Sequence, residues 1–113
     1  MNVTLSQNGT VVVLKVDEAR LTYPVLADFA TAAADQIAKG EKQLVIDLGT
    51  VGYVDSATIG CLMDLYRQAT AGGGMLKLAG VQKRVETMLT MTGAHNFLQV
   101  YPDLASALAS FGG

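Results

Sequence analysis

The stretch that decides the fold is QLVIDLGTVGYVDSATIGCLMDLYRQATAGGGMLKLAG, residues 43–80. It begins and ends with apolar runs, QLVIDL (43–48) and MLKLAG (75–80), which are typical of buried strands. Between them the sequence predicts a helix over 56–71, ended by the glycines at 72–74, with an apolar stripe of Ile59, Leu62, Met63, Tyr66 and Ala69. A strand–helix–strand unit of this kind predicts two parallel strands in one sheet.

Upstream of this stretch, a hairpin and a helix are predicted. The segments 3–5 and 11–16 read as strands, and Asn8-Gly9 between them is a strong hairpin-turn signal. Thr22 is a candidate N-cap for the next helix, with Pro24 in its first turn and Gly40 as its stop. The apolar positions of this helix are Val25, Leu26, Phe29, Ala33 and Ile37.

Downstream, the pattern predicts a helix over 81–91 that stops at Gly93, a strand over 96–101, and a last helix capped by Asp103. The expected apolar positions are Val85, Met88 and Leu89, then Leu104, Ala107, Leu108 and Phe111. Together these elements predict an α/β fold in one domain, residues 1–113. Its mixed, mostly parallel sheet has an antiparallel N-terminal edge and packs against about four helices.

Composition limits the class of protein. The chain has 113 residues, of which 50% are hydrophobic and 16% charged, enough apolar material for one compact core. Its eight Lys and Arg residues are scattered and its net charge is −2, which argues against nucleic acid as a direct partner. One cysteine, no signal-peptide pattern and no apolar run of about 20 residues favour the cytoplasm, without membrane insertion.

Residues 44–101 resemble the STAS family of anti-sigma factor antagonists. The family pattern has a strand that ends in Asp-Leu, an Asp-Ser pair that opens a helix, a Gly-rich turn, a strand, and a short helix that ends near Thr-Gly. Here these features fall on Asp47-Leu48, Asp55-Ser56, 72–74, 75–79 and Thr92-Gly93. The resemblance implies the STAS fold.

The chain departs from the family pattern at two places. Where the family usually reads D-S-S/A-G-L-G, this chain reads DSATIG, so that Thr58 replaces a glycine. After the second strand the family often has a glycine, whereas the segment KVDEARLT offers Asp17 and Thr22 without one.

The resemblance also implies a function. In switch members of the family, a kinase partner phosphorylates the serine after Asp, here Ser56. The chain would bind a kinase-type anti-sigma factor while Ser56 is unphosphorylated. The partner would bind ATP, a phosphatase would reverse the modification, and the chain itself would hold no cofactor or metal and would not be an enzyme. The implied partner-binding residues are Asp55, Ser56, Ala57, Thr58, Asp17 and Thr22.

The residues themselves leave alternatives open. Ser56 read alone is a candidate N-cap. Asp55 has three interpretations: it orients Ser56 or contacts the kinase, it is a solvated loop charge, or it shares the capping role. Thr58 is a second candidate phosphosite, but we expect an exposed helix threonine. For Asp17 and Thr22, capping competes with binding.

Other reactive groups point away from catalysis. We expect Cys61 to be a packed core thiol, and His95 is the only histidine, without companions at metal-ligand spacing. Ser56 and His95 do not form a triad pattern, because no G-x-S-x-G motif surrounds the serine. Met88 and Met91 are either core residues or an adaptable docking pair. Two other functions remain open: a STAS regulatory subunit of a membrane transporter, and a small enzyme with an unusual site.

Overall fold

Apart from two strands of only two residues, strands and helices alternate along the chain after an opening hairpin, as predicted. The structure is a computed structural model and describes residues 3–111. The strands are β1 (Val3–Asn8), β2 (Val11–Val16), β3 (Arg20–Leu21), β4 (Gln43–Asp47), β5 (Tyr53–Val54), β6 (Met75–Ala79) and β7 (Gln99–Tyr101). The helices are α1 (Tyr23–Ala38), α2 (Ser56–Ala71), α3 (Lys83–Thr92) and α4 (Leu104–Ala109), with a 3₁₀ turn at Ala94–Asn96. Within this part of the chain no helix combines the length and the apolar character needed to cross a membrane.

The main sheet has five strands in the order β1-β2-β4-β6-β7. Strand β1 pairs antiparallel with β2, whereas the other neighbours are parallel. The predicted α/β class, with a mixed sheet, an antiparallel N-terminal edge and four helices, is therefore confirmed.

The hairpin turn is tighter and β1 is longer than predicted. Asn8 lies opposite Val11, so that Gly9 and Thr10 alone form the loop. Gly9 has a φ of 61°. A glycine with positive φ at the first central position is the signature of the type II′ turn, whose twist matches that of the strands it joins.

Two separate hydrophobic clusters hold the layers together. Helices α1, α2 and α3 cover one face of the sheet, where Phe29, Leu62 and Leu89 pack with strand residues such as Leu14 and Ile46. The short helix α4 covers the other face through Ala107, which packs with Val11, Val13, Val45 and Ala79. All described helices are thus anchored by side chains that the predicted apolar stripes contain.

Lys77 attaches α4 to the sheet. It is a charged residue in the central strand β6, yet it is only 7% exposed. Its Nζ donates a hydrogen bond to Ser110 Oγ at 2.8 Å and lies 4.1 Å from the centroid of the Phe111 ring. The aliphatic stem of Lys77 is therefore buried, while the ammonium finds its partners at the end of α4.

Two predicted boundaries near the C-terminus were wrong. A strand was predicted over 96–101, but the observed strand β7 contains only Gln99–Tyr101. It is shorter because the chain makes a 3₁₀ turn after Gly93 (φ 80°). In that turn Phe97 and Leu98 donate backbone hydrogen bonds to the carbonyl of Ala94, so these residues cannot pair with β6. Helix α3 begins two residues later than predicted.

A second, very short ladder was not predicted. Strands β3 and β5 pair in parallel, with Arg20 opposite Tyr53 and Leu21 opposite Val54. Helix α1 begins just after β3, and α2 begins just after β5. This ladder therefore brings the N-termini of α1 and α2 side by side at one end of the molecule.

Candidate protein-binding site

Asp55 caps two helices with one carboxylate. It is the N-cap residue of α2, where its Oδ1 accepts a hydrogen bond from the backbone N–H of Thr58 at 2.9 Å. Its Oδ2 accepts a second bond from the backbone N–H of Tyr23, the first residue of α1, at 2.8 Å. Of the interpretations for Asp55, the geometry therefore supports capping.

Thr22 does not cap α1 with its side chain. It occupies the N-cap position with an extended backbone, but its side chain makes no capping hydrogen bond. Its carbonyl accepts a bond from the N–H of Val25 at 3.0 Å. The capping function expected of Thr22 is supplied instead by Asp55 from the neighbouring helix, so that Thr22 lies directly beside the site.

The expectation that Thr58 is exposed was wrong. Its relative exposure is 0%, and its Oγ1 lies 2.7 Å from the carbonyl oxygen of Leu21 and 2.8 Å from Asp55 Oδ1. The hydroxyl shares its one proton between these two acceptors. The third position of α2 faces inward, and Thr58 therefore ties α2 to β3 at a place where a glycine could make neither bond.

These contacts set the charge of Asp55. Burial alone would raise the pKa of this carboxyl. The hydrogen bonds from Tyr23 and from the side chain and backbone of Thr58 outweigh that effect and hold the pKa below its usual value. Asp55 is therefore ionised at neutral pH, and both of its oxygens are engaged.

Ser56 and Ala57 are exposed at the first two positions of α2. The Asp55 carboxylate satisfies the N–H of Thr58, whereas the N–H groups of Ser56 and Ala57 have no partner within the helix. The hydroxyl of Ser56 is thus accessible, next to two open backbone donors and the positive end of the helix dipole.

A small apolar hollow adjoins Ser56. It has a volume of about 120 Å³ and is lined by Ser56, Ile59, Met88, Met91 and Thr92. Met91 is 80% exposed, although it is a large apolar side chain. Of the two methionines, Met91 is therefore not a core residue, whereas Met88 packs partly against the core.

Asp17 lies apart from these contacts. It follows β2, and its carboxylate is 3.5 Å from the Thr4 hydroxyl and 3.8 Å from Lys15 Nζ. Both of these partners belong to the hairpin, which leaves Asp17 without a contact to Asp55 or Ser56 among the described hydrogen bonds and ion pairs.

The other candidate reactive groups are dispersed. Cys61 is half-buried against the core, and burial, followed by the charge of Asp64, raises the pKa of its thiol. His95 is exposed in the 3₁₀ turn. Across residues 3–111 no group of three or more His, Cys, Asp or Glu side chains could hold a metal ion.

Two elements of the site had no signal in the sequence. The N–H of Tyr23 and the carbonyl of Leu21 are backbone groups that reach Asp55 and Thr58 across 32 and 37 residues. An Asp followed by Thr at the third position of the helix is a local capping pattern, and it could have indicated the bond between Asp55 and the Thr58 N–H.

Solved structures of other proteins share this fold. An anti-sigma factor antagonist from Mycobacterium paratuberculosis superposes with a TM-score of 0.87 at 20% identity, over 96% of this chain and 92% of that one. The Bacillus cell fate determinant SpoIIAA in its phosphorylated form gives 0.75 at 13% identity, over 97% and 99%. The murine anion transporter Slc26a9 gives 0.78 at 18% identity, over 92% of this chain but 18% of the transporter.

Sequence comparison gives the family. A protein of Thermotoga neapolitana, provisionally named an anti-sigma factor antagonist, is 26% identical over 70 residues. The match covers 62% of this chain and 62% of that relative's length. The family model for the STAS domain matches residues 2–107, nearly the whole sequence. The chain therefore belongs to the STAS domain family.

Proposed function

We propose that this STAS domain is an anti-sigma factor antagonist and acts in the cytoplasm as a binding protein rather than an enzyme. With Ser56 unphosphorylated, it docks on a serine-kinase anti-sigma factor, which then releases its sigma factor. The partner phosphorylates Ser56 with its own ATP and thereby ends the complex, and a phosphatase restores it. The observation that carries the proposal is the exposed Ser56 hydroxyl at the start of α2.

The neighbouring hydroxyl is poorly placed for the same modification. Thr58 is fully buried, and its hydroxyl is engaged with Leu21 and Asp55. A kinase would have to open the start of α2 to reach it. Of the two candidate phosphosites, the geometry therefore supports Ser56.

A phosphate on Ser56 fits the fold without rearrangement. It would meet the open N–H groups of Ser56 and Ala57 and the positive end of α2, both of which favour an anion. The Asp55 carboxylate already holds Tyr23 and Thr58 and need not move. We therefore propose a switch that works through charge: phosphorylation adds about −1.5 to −2 charges beside an ionised Asp55.

The apolar hollow explains how this charge would end binding. Ser56 forms part of its lining together with Ile59, Met88 and Met91. A partner that inserts an apolar side chain there would lie against a neutral hydroxyl in the unmodified protein. In the phosphorylated protein the same side chain would lie against a dianion, and the partner would have to desolvate it.

The names of two similar proteins support the proposal. The Thermotoga relative carries the name of an anti-sigma factor antagonist, and SpoIIAA is a protein of this fold that occurs in a phosphorylated form. We extend both properties to this chain. The proposed contact surface consists of Asp55, Ser56, Ala57 and Thr22. Thr58 is buried and acts on this surface through its bond to Asp55. Asp17 takes part only with a partner that also covers the hairpin.

The test uses the serine-kinase anti-sigma factors of the source organism, purified singly. Each is incubated with this chain and ATP, and the product is mapped by mass spectrometry. Binding is measured by calorimetry for the wild type, Ser56→Ala and Ser56→Asp. We expect one kinase to modify Ser56, Ser56→Ala to bind without being modified, and Ser56→Asp to bind at least about tenfold more weakly, which corresponds to about 1.4 kcal/mol.

Thr31→Asp is the matched control. Thr31 is exposed on α1, so this variant adds the same charge outside the proposed surface. It should bind like the wild type. A kinase that binds the chain with full affinity but leaves Ser56 unmodified, or a Ser56→Asp variant with unchanged affinity, would contradict the switch.

A second candidate function is supported by the likeness to Slc26a9, an anion transporter that contains this fold as a small part of its chain. In that case the domain would regulate a transport protein, and phosphorylation of Ser56 would not be required. Copurification of the tagged chain with a permease from detergent extracts would favour this function. If the permease binds the wild type and Ser56→Asp equally well, the result favours the transporter function over the phosphorylation switch.

A further inference from the structure

We propose that two copies of this chain pair through strand β1 about a two-fold axis, so that their five-stranded sheets join into one continuous sheet. This inference is independent of the function proposed for Ser56. It follows from the contrast between the two edges of the sheet and from the composition of β1.

The β1 edge lacks the features that usually prevent edge pairing. It is six residues long, VTLSQN, and contains no charged residue and no proline. Its pairing with β2 runs without interruption from the pair Val3 and Val16 to the pair Asn8 and Val11, so no bulge bends β1 away from the sheet. Residues 4–8 are all exposed, including Leu5 at 47%. A long, flat, uncharged edge with free backbone N–H and C=O groups is a template for another strand.

The opposite edge is protected. Strand β7 has three residues, Gln99–Tyr101, and Pro102 follows it. A short strand that ends at a proline offers few donors to a partner. Pairing of β1 with β7 of another copy, which would build an open filament, is therefore disfavoured. Pairing of β1 with itself closes after two copies.

The two-fold axis limits which residues can face each other. When the axis is perpendicular to the sheet, each β1 residue must lie opposite a residue of the second copy that points to the same face. Centring the pair on Thr4, Leu5 or Ser6 satisfies this rule, and we choose Leu5 because it alone sets the exposed Leu5 side chains of the two copies against each other. Val3 then lies opposite Gln7, and Thr4 opposite Ser6. Leu5 lies opposite Leu14 of β2, and the two side chains point to the same face of the sheet. In the dimer, the exposed Leu5 side chains of the two copies cover each other.

A second copy is the occupant that fits this composition. A peptide that adds to a sheet edge commonly gains specificity from charges along the strand, and β1 carries no charged residue. A neutral strand meets no like-charge repulsion from its own twin, and the net charge of −2 per chain adds little.

The dimer leaves the Ser56 site open. β1 contacts β2 at the sheet edge, whereas α2 packs against α1 and β6. Pairing through β1 therefore covers no residue of the proposed contact surface. One strand pair buries less than the ~1,200 Å² of standard interfaces, so we expect a weak dimer with a Kd of roughly 10–100 µM.

The test is sedimentation equilibrium of the purified chain under reducing conditions, over about 5–500 µM. Leu5→Lys and Leu5→Glu are measured alone and as an equimolar mixture. Because residue 5 faces itself, each variant alone places like charges opposite each other and should dimerise at least about tenfold more weakly. The mixture places Lys opposite Glu and should recover dimers. Gln99→Lys, on the protected edge, should behave as the wild type.

Circular dichroism of each variant confirms that it is folded, which is expected because Leu5 is exposed. A wild-type chain that stays monomeric throughout the range overturns the proposal. So does a dimer that persists in both Leu5 variants, or a mixture that stays as monomeric as its components. If the wild-type chain stays monomeric, a strand from another protein becomes the alternative occupant of the β1 edge.

Discussion

The carboxylate of Asp55 accepts a hydrogen bond from the backbone N–H of Tyr23 at 2.8 Å, although the two residues are 32 positions apart. The same carboxylate holds the N–H of Thr58 at 2.9 Å. One side chain thus joins the starts of α1 and α2 and fixes the backbone from which Ser56 projects. Several measurable properties depend on this arrangement.

Asp55→Ala should destabilise the domain more than loss of an ordinary cap does. The variant removes the cap of α2 and leaves the Tyr23 N–H without its acceptor, for an expected cost of about 2–3 kcal/mol. Urea unfolding followed by circular dichroism measures it. Asp103→Ala is the matched control, because Asp103 caps only α4, through a 2.8 Å bond from the Ser106 N–H. That control should cost clearly less than Asp55→Ala, because it removes a single capping bond. Equal costs for the two variants would contradict the double role.

The contribution of Asp55 should disappear at acid pH. Its folded pKa lies below the unfolded value of about 3.8, so the ionised carboxylate stabilises the fold above that pH. This stabilisation is lost as the pH falls from 3.8 through the lower folded pKa. Asp55→Asn should therefore be less stable than the wild type at pH 7, and the gap should narrow towards about pH 3. Denaturant titrations across this range provide the test, and a gap that does not change with pH would contradict it.

Removing the Thr58 hydroxyl should affect both stability and the pKa of Asp55. Thr58→Val keeps the shape of the buried side chain but withdraws the donor to Leu21 and Asp55, at a cost of about 1–3 kcal/mol. Because that hydroxyl helps to lower the pKa of Asp55, the pKa should rise in Thr58→Val. Carbon-detected NMR titration of the carboxyl reports it. Thr58→Ser retains the hydroxyl and should keep the pKa low; a rise in both variants would point to a packing effect instead.

Met91→Ala should separate binding from stability. Met91 is 80% exposed, so truncation should change the unfolding free energy by no more than about 0.5 kcal/mol. If the hollow beside Ser56 receives a partner side chain, the same variant should weaken the complex by more than about 1 kcal/mol. Calorimetry with the partner identified by the phosphorylation test provides the comparison. Phe97→Ala is the control, because Phe97 is also an exposed apolar residue but lies outside the hollow; similar losses for both would argue against a specific contact.

The sequence by itself determined the order of the helices and main-sheet strands and most of the residues at which they begin and end. Asn8-Gly9, Pro24, Gly40 and Gly93 act through the backbone conformations that they allow, and the apolar stripes of the helices act through burial. Both effects depend on residues a few positions apart, so a local pattern is enough to predict them. The Asp-Ser pair at 55–56 was visible for the same reason.

Only the tertiary structure decided how the site is held together. The β3–β5 ladder, the burial of Thr58 and the bond from Tyr23 to Asp55 all join segments more than 30 residues apart. None of them is favoured by its own short segment, because each bond exists only once α1 and α2 lie side by side on the sheet. Packing therefore gave Asp55 its second helix to cap, turned Thr58 inward and left Ser56 at the surface.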